Sequence, residues 1–426
     1  MILRPFFTAI PLVFFLVSPV LASTEYAWVN NLLNHPNVVV KKGAIEEQYW
    51  RIQELEALRG FDVEISGVGD VPLLSNFQDD FTRDSKGQMY LDLVMSGNYT
   101  LYDFGYAQNN IDAEALLHNV KRLQLVAAAE KELNVLLTLV IGNQELMQKL
   151  AHLKAAAPEL QSLKEQLTVR YEAGLGTLTD IRRVQIQLLE LESNITLLEN
   201  SLNQIQLTVV EQYALSSEDL VAIWHDTKYV LKASHDNVAA QRSKYLSELK
   251  VQSLMFQQAS VRAQTMPSVE GALETRLYDV TRSLGNYKLS GQVKLKMPIY
   301  DNGYSEARVA KLNQATLSEV EASHQLQRQK QNQLSLTQRQ QVDVETRTLA
   351  ANEKLDNLAK QLHSLKQALG NTSSDVNGVG SLVNEIATTQ VEKAGLQADA
   401  QRNNLEKLLI TEQLLEKLAI DVEDYL

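Results

Sequence analysis

The sequence contains no cysteine in 426 residues. Disulfide frameworks, thiol catalysis and a lipid-modified cysteine are therefore excluded. Aromatic residues are also scarce, at 6% of the chain. The seven histidines are scattered, and none stands in a metal-ligand spacing such as H-E-x-x-H. The chain also lacks a glycine-rich phosphate loop and a nucleophile motif, so neither an enzyme nor a bound cofactor is expected.

Long apolar runs are missing after residue 22. Residues 1–22 have the pattern of a secretory signal peptide, with Arg4 as the positive start, an apolar stretch and Ala22 at the cleavage point. No later segment approaches the roughly 20 apolar residues of a transmembrane helix. The formal net charge is −12, which argues against nucleic acid as a partner. The sequence thus predicts an exported protein without a helical membrane span.

Two related hexapeptides divide the chain, LYDFGY at Leu101–Tyr106 and IYDNGY at Ile299–Tyr304. Each closes an alternating strand and opens a very long helical segment. Recurrence in the same order indicates an internal duplication. We predict a first repeat at 23–220 and a second at 221–426, each with a helix, a strand hairpin and a long helical hairpin.

Four segments alternate apolar and polar residues with the period of a strand. They are Phe61–Gly67, Leu91–Leu101, Val269–Leu277 and Leu289–Ile299, and only Val94 departs from the alternation. A sheet with one face on a soluble core explains this period as well as a membrane wall does. Strand lengths of about 9 to 11 residues and the export signal favour the outer membrane, with the loops Gly69–Gly87 and Asp279–Tyr287 outside the cell.

Four strands cannot close a barrel, and lipid does not tolerate an open sheet edge. Two, three or four copies would supply 8, 12 or 16 strands, of which three enclose a lumen wide enough for cargo. The predicted fold class is therefore mostly α with a small β part. Long coiled-coil hairpins would accompany four antiparallel strands that contribute to a trimeric, 12-stranded outer-membrane β-barrel.

The helices after the strand pairs are predicted at 107–171 and 305–369, roughly 100 Å each at about 1.5 Å per residue. Such lengths favour coiled-coil packing. Pro158 should kink or divide the first of them.

Each long helix ends at a glycine-containing motif, YEAGLGTLTD at 171–180 and DVNGVGSLVNE at 375–385. Gly174 and Gly378 are predicted to end the outgoing helices in the left-handed conformation, and Thr177 and Ser381 to cap the returning helices. A plain helix–turn–helix explains these residues as well as a functional tip does. In the functional reading the tips form a ring that docks a partner and narrows the pore, with Asp180, Asn384 and Glu385 as candidate constriction residues.

These junctions and the motif at 171–181 resemble the outer membrane efflux family typified by TolC, over nearly the whole mature chain. The resemblance implies a homotrimer in outer-membrane lipid, a helical tunnel through the periplasm, a periplasmic adaptor and an inner-membrane ABC or proton-driven pump. It also implies which residues form the adaptor-docking tips: Gly174, Gly176 and Thr177, and Gly378, Gly380 and Ser381. The second tip departs from the family pattern, because it lacks the Tyr-Glu-Ala lead-in and has Asn384 beside Glu385 where a carboxylate constriction is common.

The leading functional prediction is a passive exit duct of a tripartite export system, with type I protein secretion slightly favoured. Small-molecule or drug efflux is the alternative cargo. A protein of another class, an exported structural coiled coil, explains the helices but not four strands placed in pairs.

Overall fold

The computed structural model describes residues 27–70, 90–232, 241–278, 280, 286–369 and 376–422. The predicted signal peptide lies outside the described residues, as do most of the two loops that join the strand pairs. The described part is 77% helical with one four-stranded antiparallel sheet, as predicted.

Helices account for most of the chain. They are α1 Ala27–Leu33, α2 Pro36–Ala57, α3 Tyr106–Glu172, α4 Leu178–Tyr213, α5 Ser217–Lys232, α6 Arg242–Gln264, α7 Tyr304–Leu369, α8 Val376–Ile410 and α9 Leu414–Lys417. The described helices include none that is long and apolar enough to cross a membrane.

The two longest helices agree with the predicted ranges to within one residue at each end. α3 has 67 residues and α7 has 66, so each is roughly 100 Å long. Pro158 lies inside α3 without dividing it. Of the two predicted outcomes, a kink or a division, the division is therefore wrong. The buried residues Leu153, Leu160 and Leu163 flank Pro158 on both sides, so the packed apolar stripe holds the helix together across the lost backbone hydrogen bond.

The four strands are β1 Asp62–Asp70, β2 Tyr90–Tyr102, β3 Ser268–Leu277 and β4 Tyr287–Lys296. They form one antiparallel sheet in the order β1-β2-β3-β4. β2 and β3 are therefore neighbours although four helices separate them in the chain. β4 ends three residues before the predicted Ile299, because Pro298 has no N–H to donate to a strand partner.

The two hexapeptides form equivalent junctions between strand and helix. Asp103 accepts hydrogen bonds from the amides of Gly105 (3.0 Å) and Ala107 (2.8 Å). Asp301 accepts from Gly303 (3.0 Å) and Ser305 (3.0 Å) in the same way. These hydrogen bonds, first those from Ser305, lower the pKa of Asp301. Each junction therefore caps a long helix with one aspartate.

Glycine is required at both junctions because the backbone turns through the left-handed region. Gly105 has φ 84° and Gly303 has φ 77°, a region that side chains with a Cβ rarely adopt. Phe104 and Asn302 just before them also have positive φ. The turn redirects the chain from the sheet into the helical shaft.

The main core lies where α1, α3, α4, α5 and α8 meet the C-terminal segment. Leu125, Leu133 and Leu137 of α3 are completely buried there, and Leu414 and Leu418 return from the C-terminus to pack on them. A second apolar cluster joins α3, α4 and α8 near the ends of the helical hairpins. One core therefore stabilises the middle of the shaft and the other its far end.

Candidate functional site

The sheet presents an apolar face that no described element covers. In the sheet, odd-numbered residues pair with odd-numbered ones and even-numbered residues with even-numbered ones, apart from a register shift between Thr100 and Tyr102. Because the apolar residues of each strand are mostly odd-numbered, their side chains lie on one face of the sheet. The exposed members of this face are Phe61, Val63, Ile65, Leu91, Leu93, Met95, Tyr99, Leu101, Leu273, Tyr287, Leu289, Val293 and Leu295. A continuous apolar surface of this extent marks an interaction with lipid or protein.

On β2 the opposite, polar face is the better covered one, whereas the polar faces of the edge strands β1 and β4 are mostly exposed. Asp92 is 2% exposed and Val94 8%, whereas Leu93 and Met95 on the apolar face of the same strand are 40% and 48% exposed. A sheet lying on a soluble core would show the reverse. Val94, which breaks the sequence alternation, is therefore a buried residue of the polar side.

Charges on the polar face pair across and along the strands. Lys296 of β4 lies 2.6 Å from Glu270 of β3, and Arg276 lies 3.9 Å from Glu274. Both pairs are partly exposed, so each contributes little stability. They leave a mixed, hydrated face opposite the apolar one, which is the division of surfaces found in the wall of a water-filled barrel.

The first helical tip has the predicted geometry. Gly174 has φ 73°, and the amide of Leu175 donates to the carbonyl oxygen of Arg170 at 2.8 Å. Thr177 is the N-cap of α4: its hydroxyl oxygen accepts from the amide of Asp180 at 3.3 Å. The Thr177 hydroxyl also donates to the Asp180 carboxylate at 2.7 Å. The predicted left-handed glycine and the predicted cap are both confirmed.

Sequence reasoning singled out the glycines of this tip and missed its apolar side chains. Val169, Tyr171, Leu175 and Leu178 are all exposed, with Leu175 the most accessible at 70%. Gly176 lies beside them, close to Tyr171 and Arg170. Leu175 stands between two glycines in the turn. An apolar residue in a turn of this kind is the sequence feature that could have predicted an exposed apolar tip.

The second tip differs from the prediction. α8 already begins at Val376, so Gly378 and Ser381 lie inside its first turns. Gly378 is the third residue of α8, and the Ser381 hydroxyl donates back to the Gly378 carbonyl at 3.0 Å. The predicted helix-ending role of Gly378 and the predicted N-cap role of Ser381 are therefore wrong.

The cause is tertiary packing. Val379, Val383 and Ala387 recur at helical spacing and are buried in the second apolar cluster, near the ends of the helical hairpins. Their burial favours a helix from the start of this segment. Gly380 allows α8 to pack closely against α3 and α4 and does not form a turn. A Cβ added there would lie 2.9 Å from Oε1 of Gln187 and 3.1 Å from Cδ2 of Leu163.

The three candidate constriction residues have different surroundings. Asp180 is partly buried and shares its carboxylate with the Thr177 hydroxyl. Asn384 is partly buried on α8, and Glu385 is exposed. The Glu385 carboxylate lies 3.0 Å from Nζ of Lys354 on α7. Glu385 therefore links the two helices of its own hairpin.

Both tips stand at the same end of the molecule. Gly380 of α8 contacts Val184 and Gln187 of α4, and Lys366 near the end of α7 lies 3.2 Å from Glu159 of α3. The sheet lies at the start of α3, roughly 100 Å away along that helix. Within the described residues, no group of three His, Asp or Glu side chains could hold a metal ion.

Comparison with known proteins identifies this arrangement. No protein-family model and no curated protein matches the chain. Among solved structures, the outer membrane protein VceC from Vibrio cholerae matches with TM-score 0.74 at 14% identity, over 92% of this chain and 95% of VceC. The CmeC outer membrane channel from Campylobacter jejuni matches with TM-score 0.72 at 8% identity, over 93% and 90%.

The MtrE outer membrane channel from Neisseria gonorrhoeae also matches, with TM-score 0.70 at 10% identity, over 90% of this chain and 88% of MtrE. The chain has the fold of outer membrane channels. The resemblance to the TolC family is thereby confirmed for the fold. In this channel fold the sheet and the helical tips are the two ends of one elongated unit.

Proposed function

We propose that this protein is an outer-membrane exit duct, a homotrimer that passively conducts cargo from the periplasm to the exterior. The observation that carries the proposal is the sheet, which exposes apolar side chains of one face on all four strands and pairs charges on the opposite face. Three copies would close a 12-stranded barrel with the apolar face toward lipid and no free edge.

The shaft fits the same function. α3 and α7 extend roughly 100 Å from the sheet, a length suited to a tube through the periplasm. α4 also carries an apolar stripe that stays exposed among the described residues: Ile186, Leu189, Leu197, Leu207 and Val210. In a trimer the helices of a neighbouring copy would cover such stripes by coiled-coil packing.

The tips are the proposed docking surface for a periplasmic adaptor, which would connect the duct to an inner-membrane ABC or proton-driven pump. The exposed apolar side chains around Gly174, Gly176 and Thr177 support this role for the first tip. Gly378, Gly380 and Ser381 would contribute by keeping the second tip packed against it. Asp180, Asn384 and Glu385 remain the proposed constriction residues.

The cargo is a separate question. Type I protein secretion stays the favoured prediction, and small-molecule efflux stays its alternative. Deletion of the gene in its native host distinguishes the two cargo classes. Loss of a secreted protein from the medium favours secretion, whereas greater sensitivity to toxic small molecules favours efflux.

The deciding experiment for the duct is purification from membranes, followed by native mass measurement and planar-bilayer recording. A detergent-extracted trimer from the outer-membrane fraction with discrete channel conductance is expected. A soluble rod without conductance would refute the duct and favour the exported coiled coil.

Docking is tested with Leu175→Ser, because this side chain is 70% exposed at the tip. Transport should be lost while the trimer and its conductance remain. Tyr229→Ser is the matched control, since Tyr229 on α5 is equally exposed at 70% but lies far from the tips. Normal transport with Leu175→Ser would contradict docking at the first tip.

A further inference from the structure

The sheet ends in two strands that pair on one side only within the described residues, β1 with β2 and β4 with β3. Such edges expose backbone donors and acceptors that hydrocarbon cannot satisfy. Their polar faces differ in charge: β1 carries Asp62 and Glu64, whereas β4 carries lysines, Lys294 and Lys296 among them. The two edges are therefore complementary surfaces for a second copy of this chain.

The two antiparallel hairpins of the chain can be aligned through the hexapeptides that follow them. In β1–β2, Glu64 lies opposite Ser96, and in β3–β4, Glu270 lies opposite Lys294. When β4 is matched to β2 with the offset of 198 that separates the hexapeptides, the two pairings set the offset between β1 and β3 at 206 residues. With the same offsets, the pair Asp62 and Asn98 of β1 and β2 corresponds to the pair Ser268 and Lys296 of β3 and β4. This alignment treats the two hairpins as equivalent pairing units.

One contact between such units is already visible, because β2 of the first hairpin pairs with β3 of the second. There Asn98 lies opposite Ala272. The residue of β4 that corresponds to Asn98 of β2 is Lys296, 198 residues later. The residue of β1 that corresponds to Ala272 of β3 is Ser66, 206 residues earlier. We propose that β4 of one chain pairs with β1 of a second copy in this register, with Lys296 opposite Ser66.

The register makes chemical sense on both faces. On the apolar face Leu295 would lie opposite Gly67, as Leu273 lies opposite Gly97 within the sheet. On the polar face Lys296 would be the diagonal neighbour of Glu64, within reach of a long side chain. This inference rests on the proposed trimeric duct and adds to it the residues that meet between copies.

A competing register exists and differs by four residues. It would set Lys296 opposite Asp62 and Lys294 opposite Glu64, so direct charge pairing alone would choose it. Antiparallel partners have Cα atoms about 4.5–5.5 Å apart, within the span of a disulfide. Residues four positions along a strand are roughly 13 Å apart, so a disulfide can form in only one of the two registers.

Disulfide formation in membranes tests the register, and the cysteine-free chain provides a clean background. The double variant Ser66→Cys with Lys296→Cys should shift from monomer to covalent dimer and trimer on a non-reducing gel after mild oxidation. Asp62→Cys with Lys296→Cys is the matched control and should stay monomeric on that gel. Val68→Cys with Lys294→Cys reports the proposed register independently, should the first pair fold poorly.

Native mass measurement of the same variants distinguishes failure of the proposed register from failure of the proposed trimeric duct. A trimer with the disulfide at 66/296 or 68/294 supports the register. A trimer that forms the disulfide at 62/296, or at none of the three pairs, overturns the register and leaves the duct intact. A monomer without any disulfide overturns the register and the trimeric duct together.

Discussion

Removal of one buried cation should destabilise the shaft far more than removal of an exposed one. Glu130 on α3 has a side chain only 3% exposed, and Nη1 of Arg242 lies 2.7 Å from its carboxylate. The second carboxylate oxygen accepts from the amide of Leu414 at 2.9 Å. Nη2 of Arg242 donates to the carbonyl oxygen of Glu412 at 2.7 Å. Arg242 therefore ties α6, α3 and the C-terminal segment together.

Arg242→Met keeps the aliphatic stem of the side chain and removes its charge. The Glu130 carboxylate would then stay buried with one amide donor and no counter-charge, which costs about 3–5 kcal/mol for a pair broken by loss of one partner. Lys154→Met is the matched control. Lys154 lies 2.6 Å from Glu199, but the two side chains are 55% and 45% exposed, so its loss costs only about 0–1 kcal/mol.

The assay is denaturant unfolding of the detergent-solubilised protein, followed by the helical circular dichroism signal, with limited proteolysis of the C-terminal segment as a second readout. Arg242→Met should lower the unfolding midpoint and expose the chain after 410 to protease. Adding Glu130→Gln should restore part of the loss, because the buried charge is gone. Equal midpoints for Arg242→Met and Lys154→Met would refute the reasoning.

Three further outcomes follow from single sites. Gly380→Val should cost about 1–3 kcal/mol by overpacking, seen as an earlier unfolding midpoint. Burial, assisted by a nearby carboxylate charge, raises the pKa of Tyr213 to about 12. Its contribution to stability is therefore complete below about pH 10 and is lost as the pH rises toward 12, and Tyr213→Phe should abolish that loss in unfolding measured against pH. Asp180→Ala and Glu385→Ala should each raise single-channel conductance, and unchanged conductance in both would remove them as constriction residues.

The features that sequence predicted best are those with a local physical cause. The junction motifs set the start of α3 and α7 to within one residue, because Asp103 and Asp301 cap the helix from two and four residues away and glycine takes the left-handed turn between. The strands were found because exposure on one face imposes a strict period of two.

The features that sequence missed depend on residues distant in the chain. Glu130 and Arg242 are separated by 112 residues, and no local pattern marks either as buried. Gly378 misled for a related reason. A glycine with a serine three residues further on has the form of a helix boundary, but burial of Val379 and Val383 in the apolar cluster near the hairpin ends decides in favour of helix. Local rules fail where tertiary packing supplies the larger free energy.

The two predicted repeats are alike at one end of the molecule and unlike at the other. Their hairpins are both antiparallel and their junctions share one capping pattern, whereas the first tip turns at Gly174 and the second packs Gly380 inside a helix. Equivalence of the strands follows from closure, because every edge of a proposed barrel must accept its neighbour in a compatible register. No such constraint acts at the tips. Three copies would therefore present near-sixfold symmetry in the membrane and only threefold symmetry to an adaptor, with the apolar surface around Leu175 repeated three times.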